Sequence, residues 1–193
     1  LEDEIEQFDS FNLADLEPIS AYIHLDAYLY TQTLRPPSPE DVVRRFGSKS
    51  PTFNEMQKTL SRLLAKIRHS PKLDTWRVQW ARLLSKVYGS DITTDELFIR
   101  HTYLAQFARL IGYASLLNRQ SDMPDRYEDL EIILNGTAFE QFGIGNISEN
   151  DFYSWILLPE IRDEALPAFF VLINHLIVYD LKQIDQDLLK QLY

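Results

Sequence analysis

Apolar side chains recur every three or four residues along much of this chain, and this spacing favours helices over strands. The clearest stripe follows Ser50-Pro51, a serine cap with proline at the first helical position. Its apolar members are Met56, Leu60, Leu63, Leu64 and Ile67. No stretch alternates apolar and polar residues over several positions, as a half-buried strand would. The spacing predicts an all-α fold, an irregular multi-helix bundle of about eight to nine helices.

A second stripe begins at Pro71 and is joined to the first by a short turn. Its members are Leu73, Trp76, Trp80, Leu83 and Val87. Helices connected by so short a turn are expected to be antiparallel neighbours. A capping box at Thr93-Thr-Asp-Glu96 begins a long helix that we expect to reach Leu117 at the centre of the bundle. The large side chains that we expect in the core are Trp76, Trp80, Leu104 and Trp155.

The remaining helices are predicted from capping and stop signals. They cover residues 127–134, 148–156, 161–179 and 180–193, the last of them amphipathic. Arg35-Pro-Pro-Ser-Pro39 is the best candidate for a domain boundary, because proline removes a donor and disfavours the α conformation before it. Residues 1–35 are predicted to form an acidic N-terminal linker or peripheral helix, and residues 36–193 one helical domain. Because the chain begins with Leu1 rather than Met, we expect a fragment of a larger protein.

Charge is sorted along the sequence, although the net charge is only −10. Residues 1–40 hold 9 acidic and 1 basic side chains, residues 41–120 hold 6 and 14, and residues 121–193 hold 14 and 4. Runs of like charge are usually solvated surfaces. The alternative is a basic middle that faces a polyanion.

Three cations in the basic middle, Lys58, Arg62 and Lys66, follow one another at intervals of four residues. Positions four apart share one face of a helix, and this face lies opposite the stripe from Met56 to Ile67. We call these three residues the basic ridge. Their spacing makes them candidates for contacts with backbone phosphates of a nucleic acid.

No catalytic, cofactor-binding or metal-binding residue can be assigned from the sequence. The absence of cysteine excludes disulfides, thiolate zinc sites and cysteine nucleophiles. The four histidines are isolated, and for His101 and His175 we expect core positions with one hydrogen-bonded nitrogen. Phe142-Gly-Ile-Gly145 lacks the preceding strand of a nucleotide-binding loop, so its glycines are expected to permit positive φ in a tight connection.

The chain shows no signal peptide and no stretch that is apolar enough to span a bilayer. The longest apolar stretch, residues 168–179, is interrupted by Asn174 and His175. We therefore expect a cytoplasmic location and no membrane partner.

Four segments occur in a distinctive order: Val87-Tyr-Gly-Ser90, Glu96-Leu-Phe-Ile-Arg-His-Thr-Tyr-Leu104, Asn135-Gly-Thr-Ala-Phe139 and Glu149-Asn-Asp-Phe-Tyr-Ser-Trp155. Together they resemble the helical region that precedes the catalytic domain in restriction–modification N6-adenine DNA methyltransferases, the bifunctional restriction enzyme and methylase family. Residues 179–193 are similar to the stretch that leads, in this family, into a Gly-Glu-Tyr-Tyr-Thr-Pro segment at the start of the S-adenosylmethionine-binding fold. The resemblance covers roughly residues 36–193.

The family's catalytic motif, Asn-Pro-Pro-Tyr, holds a flipped adenine and is absent here, as is the glycine-rich cofactor loop. The resemblance therefore implies no catalytic residue and no cofactor in this fragment. It implies a helical spacer that positions an adjoining nuclease domain and methyltransferase domain on DNA. The parent enzyme would use S-adenosylmethionine to methylate adenine and could also cut DNA. The alternative is a free-standing helical protein-interaction module with acidic ends.

Overall fold

The computed structural model describes residues 34–88, 93–117, 123–145 and 152–183. These residues form six α-helices and three 3₁₀ helices and contain no strand, which confirms the all-α class. The α-helices are α1 (Pro39–Phe46), α2 (Pro51–Lys66), α3 (Pro71–Tyr88), α4 (Asp95–Leu116), α5 (Tyr127–Leu134) and α6 (Arg162–Leu176). The 3₁₀ helices are Thr137–Phe142, Phe152–Leu157 and Leu181–Gln183. Counted as α-helices, the described residues hold fewer than the eight to nine helices predicted for the whole chain.

One of the predicted helices, over residues 148–156, is a 3₁₀ helix over Phe152–Leu157 in the part that the structure describes. Pro159 follows two residues later, where it cannot donate a backbone hydrogen bond and disfavours the α conformation at Leu158. The predictions for residues 1–33 and for residues 184–193 lie outside the described residues. Of the predicted helix over residues 180–193, only the 3₁₀ turn Leu181–Gln183 is described.

The start signals of the helices act as their residue types predict. The Ser38 hydroxyl accepts a hydrogen bond from the Asp41 amide at 3.2 Å, and the Ser50 hydroxyl accepts one from the Phe53 amide at 3.0 Å. The cap of α4 is Thr94, the second residue of the predicted capping box and not the first. Its hydroxyl accepts a hydrogen bond from the Leu97 amide at 3.2 Å. Each cap satisfies an amide that has no partner inside its own helix.

Helix α4 is the centre of the bundle, as predicted. It packs against α2, α5 and all three 3₁₀ helices. Its fully buried aromatic side chains are Phe98, Tyr103 and Phe107. The Tyr103 hydroxyl donates to the Phe46 carbonyl at 2.8 Å, which joins α4 to the end of α1. Burial raises the pKa of Tyr103 far above its usual value, so this side chain remains neutral and keeps donating.

Two of the four side chains that we expected in the core are buried. Trp80 and Trp155 are 1% and 0% exposed, whereas Trp76 and Leu104 are only partly buried against the core. Both buried indoles have polar partners: Trp80 Nε1 donates to His101 at 3.3 Å, and Trp155 Nε1 donates to the Thr102 hydroxyl at 2.8 Å. A buried tryptophan needs such an acceptor, because an unpaired N–H inside a core is costly.

The main packing partners of α2 and α3 differ, and the antiparallel arrangement of these two helices stays a prediction. Helix α2 packs mainly on α4 and α6, while α3 packs on the 3₁₀ helix Phe152–Leu157. The buried side chains of α3 are Leu73, Trp80 and Leu84, and the predicted stripe members Leu83 and Val87 are 49% and 67% exposed. The apolar pattern predicted the helix correctly. Which of its apolar side chains are buried depends on where the neighbouring elements pack against α3.

The two ends of the described domain meet in a short parallel bridge. The Arg35 amide donates to the Val178 carbonyl, and the Asp180 amide donates to the Arg35 carbonyl, both at 2.8 Å. Next to this bridge, the Tyr179 hydroxyl donates to the Asp41 carboxylate in the first turn of α1. The predicted boundary after Arg35 is thus the site of a contact with the far end of the domain.

Asp41 is the anionic centre of this contact. Its carboxylate also receives Arg44 and lies 3.4 Å from Nε of Arg45, whose side chain is only 4% exposed. Burial alone would raise the pKa of Asp41. The hydrogen bonds from Tyr179 and Arg44 and the positive charges of both arginines outweigh this effect and hold the pKa below its usual value of 3.8.

We predict that this cluster makes folding stability depend on acid pH. A carboxyl whose pKa is lowered by folding contributes stability above its unfolded pKa of 3.8, and the contribution is lost as the pH falls through the lower folded value. The free energy of unfolding in urea should therefore differ most between the wild type and Asp41→Asn at about pH 7. This difference should shrink as the pH falls below the pKa of Asp41 in the unfolded chain. A difference that stays constant down to about pH 2 would contradict this assignment.

Candidate nucleic-acid interface

The basic ridge lies on the solvent side of α2. The side chains of Lys58, Arg62 and Lys66 are 74%, 58% and 45% exposed. The apolar stripe on the other side of the helix is buried along its whole length: Met56, Leu60, Leu63, Leu64 and Ile67. The helical spacing therefore separated the two faces correctly. Whether the ridge contacts DNA is a separate matter and stays a prediction.

Acidic side chains pair with the members of the ridge. Lys58 Nζ lies 2.8 Å from Glu55 Oε1 one turn earlier on α2. Arg62 Nη1 lies 3.0 Å from Glu164 Oε2, and Lys66 Nζ lies 2.5 and 2.6 Å from the two oxygens of the same carboxylate. Glu164 belongs to the first turn of α6, which packs against α2. One residue of the acidic C-terminal part thus bridges two cations of the basic middle.

The sequence gives no local signal for this role of Glu164. The residue lies 102 positions from Arg62 and 98 from Lys66, and an acid in the first turn of a helix is already explained by the helix dipole. The hydrogen bond from Lys66, followed by the charges of both cations, lowers the pKa of Glu164 below its usual value of 4.5. The two cations therefore favour the charged form of a carboxylate that is already ionised at neutral pH.

Other cations of the basic middle are also used inside the domain. Arg45 and Arg109 are buried, and Nη1 of Arg109 donates to the Leu134 carbonyl at 2.5 Å, which ties α4 to α5. Arg77 pairs with Asp95 at the start of α4. The charge sorting in the sequence is therefore a poor measure of surface charge, because folding buries or pairs several of these cations.

A cleft of about 190 Å³ lies beside the ridge, between α2 and the N-terminal parts of α3 and α4. Arg68 and Arg77 line it together with Asp95 and Glu96. A phosphate in this cleft would meet two carboxylates as well as two guanidinium groups. The row on α2 has two neighbouring carboxylates as well, Glu55 and Glu164, but it offers three exposed cations and is therefore the better candidate for anion binding.

The histidines at described positions support structural roles. His101 accepts the hydrogen bond from Trp80, and burial, followed by the charge of Arg100, lowers its pKa below the usual 6.5. His175 is 3% exposed and lies in the core as predicted, whereas His101 is only partly buried. His69 is exposed at the end of α2. His24 lies outside the described residues.

In the Gly-x-Gly segment, Gly143 has the predicted positive φ and Gly145 does not. Gly143 ends the 3₁₀ helix Thr137–Phe142 with φ +74°. This conformation lies in the left-handed region, which glycine adopts at little energetic cost. Among the described residues, no group of three or more histidine, aspartate or glutamate side chains is arranged to hold a metal ion. In the same part of the chain, no helix has the length and apolar character needed to cross a membrane.

The resemblance to DNA methyltransferases rests on the four segments and on residues 179–193, and the structure describes those segments only in part. Residues 89–92 and 146–151 are outside it, as are residues 184–193. No family model, curated protein or solved structure matches this chain. The family assignment consequently stays a prediction from sequence.

Proposed function

We propose that this chain is a non-catalytic helical domain that positions a DNA adenine methyltransferase on its substrate through the basic ridge. The observation that carries the proposal is the row formed by Lys58, Arg62 and Lys66. The three side chains are exposed on one face of α2, and the opposite face is fixed in the core. A row of cations on a rigid helix suits a backbone contact that is independent of base sequence.

The geometry of α2 supports contact with a polyphosphate chain more than with a single anion. Residues four apart on a helix are separated by about 6 Å along the axis, so the three ridge positions span about 12 Å. That length exceeds a single phosphate group and corresponds to several phosphates along a nucleic-acid strand. Arginine and lysine are the usual donors to such phosphates.

The identity of the enzyme in this proposal comes from the sequence resemblance. In the family that the chain resembles, S-adenosylmethionine binding and adenine methylation belong to a domain that follows this region, and a nuclease domain precedes it. We propose both as adjoining domains of a cytoplasmic parent protein, with no cofactor in residues 1–193.

The gene that encodes this chain offers the first test. We expect the reading frame to continue beyond Tyr193 into a Gly-Glu-Tyr-Tyr-Thr-Pro-like segment and an Asn-Pro-Pro-Tyr motif. A reading frame that stops near Tyr193 would contradict the methyltransferase assignment and favour an interaction module.

A binding experiment tests the ridge directly. We expect that replacing Lys58, Arg62 and Lys66 with alanine in the full-length protein weakens DNA binding equally for unrelated duplex sequences. The slope of log binding constant against log salt concentration should become shallower by up to about 2.7, at roughly 0.9 per phosphate contact. Fluorescence anisotropy with two labelled duplexes over a salt series measures both effects.

The matched control removes three exposed cations from α3, namely Lys72, Arg82 and Lys86. It changes the net charge by the same amount but leaves the ridge in place. Equal slopes for the ridge variant and this control would mean that the ridge is only a solvated surface. Thermal unfolding of both variants checks that the fold is retained, because the ridge variant also loses the two ion pairs with Glu164.

The second candidate function is the protein-interaction module with acidic ends. Several large apolar side chains on α3 favour it, since they are about half exposed or more: Val78, Leu83, Val87 and Tyr88. Leu83 and Val87 are four residues apart and share one face of α3, and neighbouring exposed apolar side chains can mark a contact with another protein. The continuation of the reading frame beyond Tyr193 distinguishes the two candidates.

A further inference from the structure

Glu164 is an anion that the protein itself supplies to its basic ridge. The packing of α6 on α2 brings its carboxylate to Arg62 Nη1 at 3.0 Å and to Lys66 Nζ at 2.5 and 2.6 Å. Both oxygens of the carboxylate receive a hydrogen bond, so two of the three ridge cations donate to one internal anion. Such charge-assisted hydrogen bonds are the same kind that a phosphate oxygen would form.

A DNA phosphate cannot use these two donors while Glu164 occupies them. The incoming phosphate carries the same charge as the carboxylate and would need the same hydrogen-bond donors, so the pair has to open first. The exposure of the three side chains allows this exchange, since 58% of Arg62, 45% of Lys66 and 40% of Glu164 are accessible to solvent. Exposed ion pairs of this kind are weak enough to be displaced.

We infer that Glu164 is an autoinhibitory residue that lowers the affinity of the basic ridge for a phosphodiester backbone. This inference rests on the proposed function of the ridge. A free phosphate would gain only what it takes from Glu164, whereas a nucleic-acid strand also reaches Lys58, one turn before Arg62 on α2, where it competes with the exposed carboxylate of Glu55. The ridge therefore favours an extended phosphodiester chain that displaces the carboxylate while it gains additional contacts.

Glu164→Gln in the full-length protein tests the inference, because glutamine keeps the size of the side chain and removes its charge. We expect it to bind a labelled duplex of about 20 base pairs roughly two- to fivefold more tightly than the wild type at low salt, the range that corresponds to the energy of an exposed ion pair. Asp163→Asn is the matched control. It removes the same charge one residue away, where the side chain is 83% exposed and pairs with Arg162 instead of the ridge.

Glu164→Gln is also made in the variant that carries Arg62→Ala and Lys66→Ala, which completes a mutant cycle between Glu164 and its two cationic partners. The gain from Glu164→Gln should disappear there, because its two cationic partners are gone. A gain no larger than that of Asp163→Asn, or one that persists without the two cations, would overturn the autoinhibitory role. If the alanine background itself leaves affinity and salt slope unchanged, the proposed DNA contact fails and the inference fails with it. Thermal unfolding shows whether each variant is folded, and Glu164→Ala provides a second way to remove the charge.

Discussion

Replacing Trp80 with alanine is expected to lower the free energy of unfolding by about 3–5 kcal/mol, the range for removing a large buried aromatic side chain. Trp80 is 1% exposed, and its ring packs edge-on against Phe98 with the centroids 5.0 Å apart. Its indole nitrogen also donates to His101, so the substitution removes a hydrogen bond and leaves a cavity where α3 meets α4. Urea denaturation, followed by circular dichroism, measures the loss.

Trp76 provides the matched control one turn earlier on the same helix. It is only partly buried, and the ammonium group of Lys72 lies 4.8 Å from the centre of its ring on the surface. Trp76→Ala should cost less than half as much as Trp80→Ala, because less surface returns to water. Equal losses for the two variants would show that α3 is rotated relative to the described structure.

Asp41→Asn is expected to destabilise the fold by about 2–3 kcal/mol near neutral pH, since it removes a negative charge that lies 3.4 Å from a buried arginine. The side chain of Arg45 is 4% exposed and lies 3.4 Å from the Asp41 carboxylate. The charged acceptor of the Tyr179 hydroxyl is lost as well, which weakens the link between α1 and the end of the domain. Urea denaturation of the wild type and the variant at the same pH gives the difference.

Arg44→Ala is the control for this cluster. Arg44 pairs with the same carboxylate, but its side chain is 70% exposed, and exposed pairs contribute at most about 1 kcal/mol. We therefore expect a small effect from Arg44→Ala and a large one from Asp41→Asn. A large effect of both would indicate that the carboxylate acts mainly through its exposed partner.

The fold class could be predicted because it depends on local patterns. The Ser38 and Ser50 caps and the buried stripe on α2 follow from residue type and helical spacing, which act over a few residues. The same spacing placed the three ridge cations on the solvent side. The type of helix at Phe152–Leu157 was predicted less well, because the energy difference between an α-helix and a short 3₁₀ helix is small and depends on what the segment packs against.

The sequence by itself determined that this chain forms capped, amphipathic helices around a central α4, with a row of cations on one face of α2. Only the tertiary structure decided which partners the faces meet. It packed α3 on the 3₁₀ helix Phe152–Leu157, left Leu83 exposed and brought Glu164 to Arg62 and Lys66 from about a hundred residues away. The physical reason is the range of the interactions: caps and periodicity are set within one or two turns, whereas ion pairs and packing between helices depend on how distant segments are arranged in space.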